Sequence, residues 1–275
     1  MLSNFKMRCI KEIRTSPFLS FLLIFFLVQS CTPVPVKRPL YPPYTDQEIK
    51  SLLVELKAQE NAVNSFYSHG RINFHGQGSE VEASVLIVGT RDPIKLKIEI
   101  THLWGRPLVH ILITEKKFFL LSFSEKRYYT GDIGEPFLSN LLPMHLDARL
   151  LWAIGRGFPI LCEYHHATSP EGNRISLLNR EKTTIQRIEF YPESDLPHQA
   201  LYSDHGLEVS FSDFETENNI RFARETGLFD QKAGATLRID NKQMVFNKAI
   251  DASVFDFIIP AGFKLYRGGP RLDTQ

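Results

Sequence analysis

An alternation of apolar and polar side chains, regular over residues 95–100 and resumed in part over residues 108–114, constrains the fold more than any other feature of this chain. Successive side chains of a β-strand point to opposite faces, so a period of two predicts a strand with one buried and one solvated face. Gly105 and Pro107 divide the stretch into two such strands joined by a turn. The buried face of this pair would carry Leu96, Ile98, Ile100, Ile111 and Ile113.

The loop between these two strands carries large apolar residues, Leu103 and Trp104, at its tip. Large apolar side chains in such a place either fold back onto the core or mark contact with another apolar surface. The loop residues by themselves leave both alternatives open.

The alternation extends over most of the chain. Six short runs with a period of two occupy residues 70–130, and their short polar or glycine links predict an antiparallel meander. Similar runs fill residues 174–248, and a short strand from Val254 precedes Pro260 and Gly262. We therefore expect a mainly β domain with about 11–12 strands.

Two segments have helical rather than strand character. Residues 46–68 form an amphipathic pattern behind a capping box made by Thr45 and Glu48, which predicts a core-facing helix. Residues 143–154 are almost entirely apolar, Trp152 among them, and glycines follow, which predicts a short buried helix. A large curved sheet around such an insert is typical of a wide barrel or half-barrel. Its interior would hold side chains or an apolar ligand.

The N-terminus has the pattern of a secretory signal peptide over residues 1–30. Basic residues precede an apolar run over residues 18–28, and about eleven residues are too few to span a membrane. Val28-Gln29-Ser30-Cys31 resembles the lipobox of bacterial lipoproteins, which implies that Cys31 becomes the lipid-modified N-terminus. Ordinary cleavage that leaves Cys31 unmodified is the alternative.

The mature chain divides into three parts. Prolines predict an extended tether over residues 31–45, followed by a single domain over 46–267 and a frayed tail over 268–275. If the lipobox is used, Thr32 after the cysteine implies sorting to the outer membrane in bacteria of the enteric type. The protein would then be a lipid-anchored protein that faces the periplasm.

Charge and motifs argue against several classes of function. A formal net charge of +1 and the lack of a basic cluster argue against a nucleic-acid surface. The sequence contains no nucleophile elbow, zinc-protease motif, dinucleotide fingerprint or P-loop. His165 and His166 stand near two glutamates without regular ligand spacing, which indicates a solvated loop. We expect no catalytic residues, no metal site and no cofactor.

Four short stretches resemble one family in their order and spacing. They are Ser68–Ile72, the loop from Thr101 to Gly105, Tyr128–Tyr129, and Leu151–Gly155. Together they are similar to the LolB-like outer-membrane lipoprotein receptors of the Lol sorting pathway, in the LolA/LolB superfamily. The resemblance covers about residues 46–160, while the C-terminal stretch is more similar to the periplasmic carrier of that superfamily.

The resemblance implies an unclosed antiparallel β-barrel, capped or plugged by α-helices, with an apolar cavity for acyl chains. It also implies a membrane-insertion loop, with Leu103 at the position of the family's protruding leucine and Trp104 beside it. Our candidates for the lining of the cavity are Leu96, Ile98, Ile100, Ile111, Ile113, Phe119, Leu121 and Trp152.

The function implied is that of a monomeric acyl-chain-binding protein, anchored in the outer membrane. It would accept lipoproteins from a periplasmic lipoprotein carrier and insert them among the outer-membrane lipids. The alternatives are a lipoprotein that carries another lipid or glycolipid, and a scaffold protein of the envelope with a solid core.

Overall fold

Fourteen strands form one continuous sheet in the computed structural model, which describes residues 41–266 apart from 77–78, 133–146, 193 and 205. The predicted signal peptide, Cys31, most of the tether and the tail over 268–275 lie outside the described residues. The strands in chain order are β1 (Ser65–Gly76), β2 (Ser79–Arg91), β3 (Ile94–Thr101), β4 (Pro107–Thr114), β5 (Lys117–Ser122), β6 (Arg127–Asp132), β7 (His166–Thr168), β8 (Arg174–Leu178), β9 (Thr184–Phe190), β10 (Pro197–Tyr202), β11 (Leu207–Glu217), β12 (Ile220–Asp230), β13 (Ala235–Phe246) and β14 (Lys264–Leu265).

The sheet consists of two antiparallel meanders joined at its centre. Strands β1–β6 pair in sequence order, strands β7–β13 do the same, and β1 pairs with β13 to connect them. β14 runs parallel to β6 at one edge, β7 forms the other edge, and the two edges do not pair. The unclosed, almost entirely antiparallel sheet confirms the expected fold class. Beyond the expected strands, the sheet contains β7 and β14, which have only three and two residues and leave little alternation to detect.

The first helix, α1 (Asp46–Asn61), begins at the predicted capping box but ends earlier than expected. The prediction extended it to Ser68, whereas Ser65 already begins β1. Val63 and Phe66 continue the apolar stripe of the helix, and both are buried in the core. Val63 reaches the core from the connection between α1 and β1, and Phe66 reaches it from β1. The apolar stripe therefore did not show where the helix ends.

The second helix, α2 (Ala148–Arg156), starts at Asp147, whose side chain accepts a hydrogen bond from the Leu150 N–H at 2.6 Å. It ends at Gly157, whose φ of 71° is the left-handed conformation that favours glycine at a helix C-terminus. Residues 143–146 of the predicted helix lie outside the described residues.

Both helices pack on one face of the sheet, which we call the inner face. Side chains from both meanders meet α2 in a single apolar cluster, so the sheet curls around this helix. α1 covers β8 and β9 in a second cluster. The two clusters share a face because Ile188 of the second lies directly opposite Ala200 of the first across the β9–β10 pair.

The C-terminal segment crosses the opposite, outer face, and we call residues 250–266 the C-terminal strap. A short strand was expected from Val254, but the chain forms a 3₁₀ helix there, Ala252–Phe255, followed by extended residues. Phe255 is buried against Val88 and Leu112 on the outer side of β2 and β4. Phe255 and Phe257 therefore pack on the sheet face, and this part of the strap does not pair as a strand.

Replacement of Thr45 by alanine is expected to lower the free energy of unfolding by about 1 kcal/mol. The Thr45 hydroxyl accepts the Glu48 N–H at 3.3 Å, and the Glu48 carboxylate accepts the Thr45 N–H at 2.8 Å. The change removes the first of these bonds from the start of α1. Urea unfolding followed by circular dichroism would measure the loss. Ser51→Ala, at an exposed position inside the same helix, is the control and should not lower stability; equal losses in both variants would contradict the role of the cap.

Candidate functional site

Six of the eight residues predicted to line a cavity lie on the inner face, and five of them are buried in one cluster. β3 and β4 pair so that Leu96 lies opposite Ile113 and Ile98 opposite Ile111. These four side chains and Trp152 of α2 are buried in the same cluster. Ile100, one step further along β3, is partly buried and packs against the edge of that cluster.

Trp152 is almost fully buried in this cluster. Its ring meets the Phe66 ring edge to face, with 4.9 Å between the centroids. A Cβ atom added at Gly89 would lie 3.0 Å from the Trp152 ring, so the absence of a side chain there lets α2 approach the sheet. Around Trp152 the inner face is thus covered by tightly packed side chains of the protein itself.

The placement of Phe119 and Leu121 requires a correction. Phe119 packs on the outer face, where its ring lies 5.3 Å from that of Phe257 in the C-terminal strap, and Leu121 shares that face by alternation. The inner-face residues of β5 are Phe118 and Leu120. Both faces of this strand are apolar because the strap covers one of them, so alternation alone could not choose between them.

The loop between β3 and β4 is a defined turn that presents its apolar residues to solvent. The His102 N–H donates to the Arg106 carbonyl at 2.8 Å, and the Gly105 N–H donates to the His102 carbonyl at 2.7 Å. Leu103 is 51% exposed and Trp104 is 83% exposed, with its ring stacked on that of His102. Neither side chain folds back onto the core.

A buried charge that the sequence did not reveal links the two helices. Arg156, the last residue of α2, is fully buried and donates through Nη1 to the carbonyl of Gln59 in α1 at 3.0 Å. Burial lowers the pKa of Arg156 to about 9, although Glu60 nearby favours the charged form. The guanidinium lies 4.9 Å from the Phe158 ring, and among the described residues its Nε and Nη2 have no hydrogen-bond acceptor.

Arg156 is a buried charge, and burial of a guanidinium carries a desolvation cost. The Gln59 carbonyl, the charge of Glu60 and the Phe158 ring offset this cost. The only sequence signal for the buried charge was a single basic residue at the end of an apolar helix, and its hydrogen-bond partner lies about a hundred residues earlier in the chain.

An open groove of about 990 Å³ lies between α1 and residues 161–167. Its size falls in the range of small-molecule sites, and apolar side chains dominate its surface. The groove also touches Arg149 of α2, so it adjoins the helix that covers the inner face. The apolar residues of the groove are Ile49, Leu53, Val54, Leu161, Tyr164 and Ala167.

The part of the chain that the structure describes was also searched for membrane-spanning helices and metal sites. None of its helices is both long enough and apolar enough to cross a bilayer. Within the same residues, no three His, Cys, Asp or Glu side chains gather where they could hold a metal ion.

Comparison with solved structures identifies proteins of the same fold, whereas no family model and no curated protein matches the sequence. A DUF1329 family protein from Desulfovibrio piger superimposes with a TM-score of 0.53 at 10% identity, over 76% of this chain and 97% of that one. A putative outer membrane lipoprotein-sorting protein domain from Vibrio parahaemolyticus gives a TM-score of 0.51 at 10% identity, over 77% of this chain and 97% of that one. At such low identity the likeness establishes a shared fold.

Proposed function

We propose that this protein is a lipid-anchored outer-membrane protein that binds the acyl chains of lipoproteins, accepts them from a periplasmic carrier and inserts them in the outer membrane. The observation that carries the proposal is the inner face, which is apolar across both meanders and is covered at its centre by a helix of nine residues. The protein would act as a monomer, without catalysis, on the periplasmic side of the membrane. Cys31 would carry the anchor.

Binding of an acyl chain requires an apolar surface that replaces the membrane. Each methylene removed from water gains about 0.8 kcal/mol, so a long acyl chain gains on the order of 10 kcal/mol. In a carrier, this gain has to offset the contacts that α2 loses when it is partly displaced from the sheet. In this proposal the chain enters along the groove beside α1 and takes over the contacts that α2 makes with the sheet.

Three further observations support this assignment over a generic lipid-binding role. One structural neighbour is described as a lipoprotein-sorting domain. The four stretches that resemble the LolB-like receptors include the loop with Leu103, and that loop projects its apolar residues into solvent. The sequence before Cys31 has the lipobox pattern.

The second candidate is an envelope scaffold protein with a solid core, and the packing around Trp152 favours it. A filled interior needs no ligand, and an unclosed sheet has edges that can pair with a partner strand. A protein that carries another lipid or a glycolipid would share the inner face but differ in its cargo. Ligand binding distinguishes the scaffold from both carriers.

Native mass spectrometry of the Cys31→Ala chain, recovered from a bacterial periplasm, tests the proposal directly. We expect a releasable acylated adduct, and uptake of an added triacylated lipopeptide by the ligand-free fraction. The same peptide without its acyl chains is the control and should not bind. A clean unliganded mass together with no lipopeptide uptake would refute acyl-chain binding and favour the scaffold.

A further inference from the structure

The C-terminal strap is fixed to the outer face by aromatic contacts along its length. Phe255 is buried against the sheet, Phe257 packs on Phe119, and the Phe263 ring lies 5.4 Å from that of Phe123. β14 then pairs with β6. The strap is therefore packed against the domain at both of its ends. These contacts fix the direction of the side chains that lie between them.

Between these aromatic contacts, the strap exposes two isoleucines. Ile258 is 79% exposed and Ile259 is 41% exposed, although the flanking phenylalanines are turned towards the sheet. Exposed isoleucine is unfavourable in water unless another surface covers it. Ile258 and Pro260 line a small pocket together with His110 and Phe123 of the outer face.

The isoleucines lie at the same end of the sheet as the β3–β4 loop. Ile258 adjoins Glu99 and His110, which lie opposite each other in the β3–β4 pair. The loop begins only two to three residues further along these strands, or about 10 Å at the rise of a β-strand. Two separate segments thus place exposed apolar side chains at one end of the molecule: Leu103, Trp104, Ile258 and Ile259.

Charged residues around this end favour an anionic surface. Arg106 closes the loop, Lys126 and Arg127 lie in and next to the β5–β6 turn, and Lys264 pairs opposite Arg127 in β14. All four are exposed. The exposed acidic residues near this end are Glu125, which accepts a hydrogen bond from Tyr129, Asp256, and Glu80 and Glu82 of β2, of which Glu82 pairs with Arg71. Apolar side chains flanked by basic ones are the combination that binds the interface of an anionic bilayer.

We propose that Ile258 and Ile259 form a second membrane contact, which docks the protein on an anionic lipid bilayer together with Leu103 and Trp104. The inference rests on the proposed function and extends it, since a single loop leaves the protein free to rotate about its contact. Two contacts on one end fix the orientation of the inner face relative to the bilayer. The strap thereby takes part in delivery without touching the cargo.

The test is binding of the Cys31→Ala chain to vesicles of phosphatidylethanolamine and phosphatidylglycerol, measured by flotation. The double variant Ile258→Glu/Ile259→Glu should lower the partition coefficient roughly tenfold or more, because two apolar contacts are lost and two charges are added. Tyr67→Glu is the matched control, since Tyr67 is 41% exposed near the start of β1, at the opposite end of the sheet from the β3–β4 loop. It should bind vesicles as the parent chain does. Equal unfolding midpoints in both variants would show that the strap keeps its fold.

Several outcomes would overturn the inference. Vesicle binding by the double variant equal to that of Tyr67→Glu would exclude the strap as a contact, as would a parent chain that does not bind the vesicles. A double variant whose defect lies in self-association, seen by sedimentation, would assign the isoleucines to an interface between copies. Native mass spectrometry of the parent chain tests the proposed function separately, since a parent chain without an acylated adduct would contradict that function. The double variant should keep its acylated adduct.

Discussion

Replacement of Trp152 by alanine is expected to lower the free energy of unfolding by about 3–5 kcal/mol and to increase the uptake of acyl chains. Trp152 is almost fully buried where α2 meets the sheet, and its ring packs edge to face on Phe66. Removal of the indole leaves a cavity lined by apolar side chains of the inner face. In a carrier, this cavity gives an acyl chain space that it would otherwise have to open by displacing the indole.

A variant with a cavity in the second cluster separates the loss of stability from the increase in acyl-chain uptake. Leu56 of α1 is just as buried but belongs to the second cluster, and Leu56→Ala should cost about 2–5 kcal/mol. Urea unfolding gives the two losses of stability, and native mass spectrometry with a triacylated lipopeptide gives the uptake. We expect greater uptake by Trp152→Ala than by Leu56→Ala. Equal uptake in the two variants would show that the inner face is core only.

Replacement of Leu103 or Trp104 by glutamate is expected to abolish most transfer of acylated cargo to membranes while cargo binding persists. Both side chains are exposed, so the free energy of unfolding should change by no more than about 0.5 kcal/mol. An apolar side chain that enters a bilayer contributes about 1.5–3 kcal/mol, so its loss should slow transfer roughly 10- to 100-fold or more. The carboxylate adds a further barrier at the membrane surface.

Transfer is measured as the movement of a labelled lipopeptide from the loaded protein to vesicles. Leu103→Met and Trp104→Phe keep an apolar side chain and should retain transfer, which separates membrane contact from any effect on the turn. Full transfer by the glutamate variants would exclude the loop as an insertion element. Loss of cargo binding in those variants would place the loop at the ligand instead.

Strand alternation predicted the inner face wherever the opposite face is solvated. In β3 the residues between Leu96, Ile98 and Ile100 are charged, so the buried side was evident from the sequence. In β5 both faces are apolar, because the strap covers one of them. The position of Phe119 therefore depended on a segment more than a hundred residues later in the chain.

The parts of the site that the sequence did not reveal depend on long-range contacts. An arginine at the end of a short helix is usually solvated, yet Arg156 is buried because α1 covers it and Gln59 accepts its hydrogen bond. The end of α1 was misplaced since Val63 and Phe66 are apolar in either conformation. Local patterns predicted which residues are buried more reliably than they predicted the helix or strand in which those residues lie.

The pairing of β1 with β13 has a consequence for how the chain folds. Within each meander, paired strands follow one another in the sequence. The two strands that join the meanders, β1 and β13, are far apart in the sequence, as the pairing of Phe66 with Phe246 shows. Closing so long a loop is entropically costly, so we expect the two meanders to form early and this seam to form last. At the seam, a Cβ atom on Gly70 would lie 2.0 Å from the carbonyl oxygen of Asp240. One methyl group at that position would therefore hinder the final association of two halves that had already folded.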